Sequence, residues 1–136
     1  MRRGAAIAAA VCVVLVAASA SAAGGGVRTI ASFCSPSGDL CYGVVDRGGG
    51  VRLELTTAAR YFGRYGLCVD PPPGASAASA RRCGTFPVFR AGGGTWASSV
   101  RLRRQFPVGQ PGVYRVTWRL GTQPLGPALR FRLPLR

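Results

Sequence analysis

Short runs in which apolar and polar side chains alternate with a period of two, each stopped by glycine or proline, constrain this chain more than any other feature. A period of two puts alternate side chains on opposite faces of a strand, and no run carries the 3.6-residue stripe of an amphipathic helix. Val51, Leu53 and Leu55 alternate with Arg52, Glu54 and Thr56, and Tyr65, Leu67 and Val69 alternate with Gly66 and Cys68. Trp96, Ser98, Val100 and Leu102 oppose Arg101 and Arg103, while Tyr114, Val116, Trp118 and Leu120 oppose Arg115, Thr117 and Arg119. Leu129, Phe131 and Leu133 oppose Arg130 and Arg132. Further runs at Val27 to Phe33, Leu40 to Val45 and Thr85 to Phe89 bring the total to about eight strands. Arg47-Gly48-Gly49-Gly50 and Ala91-Gly92-Gly93-Gly94 fall between runs, where glycine supplies the positive φ that hairpin connections need. As phosphate loops both fail, because the Lys-Ser/Thr of a P-loop is missing. The pattern predicts an all-β domain, a β-sandwich first and a small barrel second.

Ahead of these runs, Met1-Arg2-Arg3 is a short basic region, Ala5 to Ala18 is apolar and uncharged, and Ser19-Ala20-Ser21-Ala22-Ala23 offers small residues to a signal peptidase. Residues 1–23 therefore read as a signal peptide, 24–26 as a flexible leader and 27–136 as one folded domain. The rival readings are an uncleaved anchor and a lipoprotein, but Cys12 lies inside the apolar run, whereas a lipid-accepting cysteine would follow it. Arg2-Arg3 lacks the context of a twin-arginine signal, which favours the general secretory route. Once the signal is removed no transmembrane span remains, and the location expected is secreted, extracellular or associated with the cell envelope.

Without Cys12 the five cysteines become four: Cys34, Cys41, Cys68 and Cys83. An even count in an exported domain implies disulfides. Three pairings are open, and the spacing favours Cys34 with Cys41 and Cys68 with Cys83, since each pair flanks a turn-rich segment. A zinc site is the rival reading, but neither pair has C-x2-C spacing, the chain has no His, and an oxidising compartment disfavours free thiolates.

The chain carries 18 basic residues, every one arginine, against Asp39, Asp46, Glu54 and Asp70. With neither His nor Lys there is no Ser-His-Asp, Cys-His or Ser-Lys nucleophile, and oxidation of the cysteines removes a thiolate as well. A glycosidase-like carboxylate pair would have to come from the four acids. Asp39 reads as a turn residue, Asp46 as a hairpin edge and Glu54 as an outward surface charge. No enzyme is expected, and no cofactor or metal either, since calcium needs clustered oxygen ligands.

Charge along the chain is polarised. Residues 71–136 hold 11 arginines and no acid, while 24–70 hold five arginines with all four acids. If the last three strands are sequential neighbours in one sheet, Arg101, Arg103, Arg115, Arg119, Arg130 and Arg132 project from a single face. That face reads as an anion-binding surface with guanidinium forks, or as a solvated face written in arginine because a high-GC genome avoids lysine. Thr95, Ser99, Gln105 and Thr117 interleave with the arginines and offer no aromatic platform, so base stacking, and with it sequence-specific nucleic-acid binding, is not expected. Trp96, Trp118, Tyr114 and Phe131 fall on the inward face and read as core. The function expected is a non-enzymatic binding module that associates electrostatically with an anionic envelope polymer or acidic glycan. The alternative is a secreted protein-interaction module, an inhibitor or accessory subunit, acting through the Asp70 to Arg82 loop or a sheet edge.

The stretch Pro111-Gly112-Val113-Tyr114-Arg115-Val116-Thr117-Trp118-Arg119-Leu120 resembles the turn-then-Tyr penultimate strand of bacterial immunoglobulin-like sandwiches. Together with Cys34 to Val45, Arg64 to Val69 and Leu125 to Leu129, it is similar to a family of small secreted proteins of high-GC actinobacteria, over most of the mature chain. The resemblance implies one immunoglobulin-like sandwich of about seven to eight antiparallel strands and carries over no functional residue. Val116 stands where antibody-type domains place the second cysteine, so their inter-sheet Cys-Trp-Cys core is not implied.

Overall fold

The computed structural model describes residues 25–75 and 80–136, so the signal-peptide reading of 1–23 lies outside the described residues. Alternating runs become strands β1 (Arg28–Cys34), β2 (Leu40–Asp46), β3 (Val51–Thr57), β4 (Arg64–Asp70), β5 (Arg82–Pro87), β6 (Phe89–Arg90) and β7 (Trp96–Arg101). Next come a helical turn α1 (Leu102–Gln105) and strands β8 (Gly112–Leu120), β9 (Gln123–Pro124) and β10 (Leu129–Leu133). All pairings are antiparallel, in two sheets of order β1-β2-β3-β7-β6 and β10-β8-β4-β5, with β9 against β8. The glycine runs serve the β2–β3 and β6–β7 connections as expected, with Gly48, Gly50, Gly93 and Gly94 at positive φ.

The inward residues of both sheets form one core. Tyr42, Val44, Leu53, Leu55 and Val100 come from the first sheet, and Tyr65, Leu67, Tyr114, Val116, Trp118 and Phe131 from the second. Tyr42 stacks on Trp118 across the gap with ring centroids 4.5 Å apart. Trp118 is wholly buried, and truncating such a residue to alanine costs about 3–5 kcal/mol. Trp96 is only half-buried at the core margin, with the Arg60 guanidinium 5.3 Å above its ring. Burial pushes the Tyr65 hydroxyl up to about 12, although its hydrogen bond to Ser98 Oγ pulls the other way.

Cys34–Cys41 and Cys68–Cys83 are bonded as the spacing implied. Each pair occupies directly opposed positions, Cys34 across from Cys41 on β1 and β2, and Cys68 across from Cys83 on β4 and β5.

Two expectations need correction. The run Thr85 to Phe89 is not one strand: the chain leaves the second sheet after Pro87, buries Val88, and pairs Phe89–Arg90 in the first sheet. The last three long strands are not neighbours either, because β7 pairs with β3 in the first sheet while β8 and β10 pair in the second. A physical reason lies in residues 102–111, too long for a hairpin, whose connections run to about five residues. Leu102 begins a helical turn closed by Phe106 N–H donating to the Leu102 carbonyl at 2.9 Å. Leu102 and Phe106, four apart on one side of that turn, are both buried, as is Val108, so the connection is anchored in the core as it crosses between sheets.

Candidate anion-binding site

Sheet exchange by β7 divides the six arginines. Arg101 ends β7 in the first sheet, directly opposite Arg52 on β3, and Arg103 sits on the exposed side of α1. Arg115, Arg119, Arg130 and Arg132 belong to the second sheet, whose burial pattern turns alternate residues of β8 and β10 outward. Arg119 is withdrawn from this group. It is half-buried, its Nη2 donates to the Thr122 carbonyl, its Nη1 lies 4.0 Å from Cys68 Sγ, and its Nε is buried with no partner among the described residues. Its guanidinium is spent on holding the β8–β9 turn against the disulfide.

Arg115, Arg130 and Arg132 remain. Register places Arg130 directly opposite Arg115, and Arg132 opposite Val113, diagonal to Arg115. Opposed like charges destabilise a sheet unless water, salt or an anion screens them. On its other side Arg115 faces Asp70 of β4. Asp70 turns to the loop, where its Oδ1 lies 3.3 Å from Arg81 Nε.

These residues line a cavity of about 740 Å³, whose other walls are Pro71, Pro72, Pro73, Pro111, Gly112 and Val113. Gly112 lets the wall close in. Its φ is +139°, and a β-carbon there would meet Pro72 Cγ at 2.7 Å. Sequence reasoning placed Arg81 and Pro71 to Pro73 only in the Asp70 to Arg82 loop of the alternative reading and did not foresee that this loop meets the arginine face. A usable signal existed, because counting outward from the Cys68–Cys83 pair in antiparallel register brings Val69 to Arg82 and then Asp70 to Arg81.

The outer face of the first sheet is arranged differently. Glu54 accepts two hydrogen bonds from Arg47, Nε at 2.6 Å and Nη2 at 3.0 Å, and a third from Ser99 Oγ at 3.2 Å. Arg52 Nη1 donates to the same Ser99 hydroxyl at 3.1 Å. The Arg47 hydrogen bonds hold the Glu54 carboxyl below the usual carboxylate range, against the opposing effect of its partial burial. Asp46 lies 3.5 Å from Arg28 and caps the hairpin by accepting from Gly48 N–H. Asp39 occupies the turn before β2, where its amide donates to Ser37 Oγ. Three of the four acids are thus tied to arginines, which hold strands and turns together. A smaller cavity of about 320 Å³ on this side is lined by Arg52, Arg101 and Arg104 with Phe86 and Phe89.

Among the described residues no helix is long and apolar enough to cross a membrane. No family model matches the chain, and neither does any curated protein or solved structure.

Proposed function

We propose that this protein is an exported, non-enzymatic binding module with an immunoglobulin-like β-sandwich fold, which associates with an anionic cell-envelope component through the outer face of its second sheet. One observation carries the reading. Arg115 and Arg130 stand opposite one another with Arg132 beside them, at a cavity whose lone acidic lining residue, Asp70, is already paired with Arg81. Guanidinium groups so placed lower their mutual repulsion by taking a phosphate or carboxylate between them, and their forks bind it bidentately. Binding of this kind needs positive charge and hydrogen-bond donors only.

Strand order supports the fold reading. Taking β2, β3, β7 and β6 as A, B, E and D, and β10, β8, β4 and β5 as G, F, C and C′, reproduces the immunoglobulin-type order in both sheets, with β1 added beside A. Tyr114, near the start of the F-like strand, donates its hydroxyl to the Gln110 carbonyl four residues upstream at 2.7 Å, in the manner of a tyrosine corner. Two disulfides support an oxidising, extracellular compartment.

The test is binding of the purified protein to isolated envelope polymer across a salt series, beside the variant Arg115→Gln/Arg130→Gln/Arg132→Gln. With three contacts the logarithm of affinity should fall with the logarithm of salt at a slope of about −2 to −3, and the folded variant should lose it. Equal, weak binding by both proteins without a salt slope would overturn the reading.

A further inference from the structure

We infer that the cavity beside Arg115, Arg130 and Arg132 is a site for an organic phosphate, a phosphate ester whose carbon-bearing part rests on the proline wall. The inference rests on the anion-binding reading and narrows its ligand from anions in general to phosphate.

Donor geometry favours phosphate. Asp70 engages Arg81, which leaves three guanidinium groups, on β8 and β10, facing the cavity without a carboxylate of their own among its lining residues. The lone pairs of a carboxylate all lie in one plane, so forks arriving from different strands compete for the same flat edge. A phosphate ester offers three oxygens arranged around a tetrahedron, so forks arriving from two strands engage different edges. Charge points the same way. Four arginines and one acid line the cavity, and a phosphomonoester carries about −1.5 to −2 at neutral pH, closer to compensating them than one carboxylate is.

Walls and size favour an ester over the free ion. Pro71, Pro72, Pro73 and Pro111 have no backbone N–H, so this side of the cavity gives an anion no amide donor and presents ring carbons instead. Val113 extends the apolar wall and is exposed. At about 740 Å³ the space far exceeds one phosphate and falls in the range of about 300–1,000 Å³ typical of small-molecule sites. Because Gly112 packs against Pro72, the wall meets the arginine-bearing strand without a gap.

The experiment titrates the protein with phenyl phosphate, benzoate and inorganic phosphate at fixed ionic strength, reading backbone amide shifts by two-dimensional NMR. Phenyl phosphate should saturate with shifts centred on Val113, Arg115 and Arg130, at least tenfold more tightly than benzoate or inorganic phosphate. Arg115→Lys, which keeps the charge but loses the fork, should weaken phenyl phosphate at least fivefold. Arg101→Gln, on the other sheet, should change neither the phenyl phosphate affinity nor the salt slope for polymer. Equal affinity for benzoate would overturn the phosphate assignment, and so would linear, unsaturable shifts with all three probes. Those results would leave polymer binding through the three arginines standing, whereas loss of polymer binding with phenyl phosphate still saturating would sink only the envelope reading.

Discussion

In the first sheet Arg52 stands opposite Arg101, and in the second Arg115 stands opposite Arg130. The pairs are alike in sequence and in register, yet their surroundings differ. Beside Arg52, two residues along β3, lies Glu54, already held by Arg47 and sharing Ser99 with Arg52. Beside Arg115, across on β4, lies Asp70, whose carboxylate turns to Arg81. Ser99 and Glu54 draw Arg52 into a hydrogen-bonded network, and Arg101 opposite it lines a cavity of about 320 Å³, whereas Arg115 and Arg130 both line the larger one of about 740 Å³. In both sheets the nearest acid is paired with a third arginine, but Arg52 still reaches its acid through Ser99, whereas Arg115 has no such bridge to Asp70 among the described residues.

The largest effect that could break this contrast is on binding. Arg52→Gln/Arg101→Gln/Arg104→Gln should change affinity for envelope polymer less than threefold, while the matched triple change at Arg115, Arg130 and Arg132 should lower it on the order of 100-fold, since charge-assisted hydrogen bonds contribute about 1.5–3 kcal/mol each before desolvation is set against them. Equal losses from both triples, measured by co-sedimentation at physiological salt, would make the two faces equivalent.

Next in size is the cavity wall. Gly112→Ala places a β-carbon on Pro72 at a backbone angle that L residues rarely adopt, and should cost about 1–3 kcal/mol in denaturant unfolding. Gly49→Ala, in the β2–β3 hairpin, has open space around its β-carbon and negative φ and should fall within about 0.5 kcal/mol of the parent.

A smaller effect comes from the opposed charges. Arg130→Glu, on the edge strand β10 where Arg115 is its one cross-strand partner among the described residues, converts a repulsive pair into an attractive one and should raise stability by about 0.2–1 kcal/mol at low ionic strength, a gain that fades at 1 M salt as screening takes over. A loss of stability at low salt would mean that Arg130 is already neutralised by a partner.

The smallest effect is in acid. The carboxyl of Glu54 titrates below its unfolded value in the folded protein, so its contribution to stability is present above about pH 4.5 and is lost as pH falls through the lowered value. Glu54→Gln should be less stable than the parent at pH 7, and the two unfolding curves should converge below pH 4. A constant difference down to pH 2 would show that the carboxylate is not what holds the first-sheet network.

Much of the site was legible from alternation, because Arg115, Arg130 and Arg132 sit on strands whose inward partners Tyr114, Val116, Phe131 and Leu133 leave no choice of face. Arg101 and Arg103 were assigned to the same face because their own strand alternates equally well, and alternation says which way a side chain points but not which sheet it belongs to. The spacing of Leu102, Phe106 and Val108 carried the missing information, since a ten-residue connection with buried anchors is not a hairpin. Arg119 shows a different limit. Its outward position is a matter of period, but its folding back onto Thr122 and the Cys68–Cys83 disulfide depends on the turn beyond it.

By itself the sequence determined the all-β class, the glycine connections and the side of each long strand that enters the core, because these follow from contacts a few residues apart or from a period of two, and it favoured the disulfide pairs that flank turn-rich segments. Only the tertiary structure decided which sheet received β7, that Arg81 and four prolines would meet Arg115, Arg130 and Arg132, and that Arg119 would be withdrawn. Those outcomes depend on how two buried faces pack against each other and where the chain crosses between them. No local pattern encodes that choice, since the same alternating strand buries its apolar face equally well in either sheet.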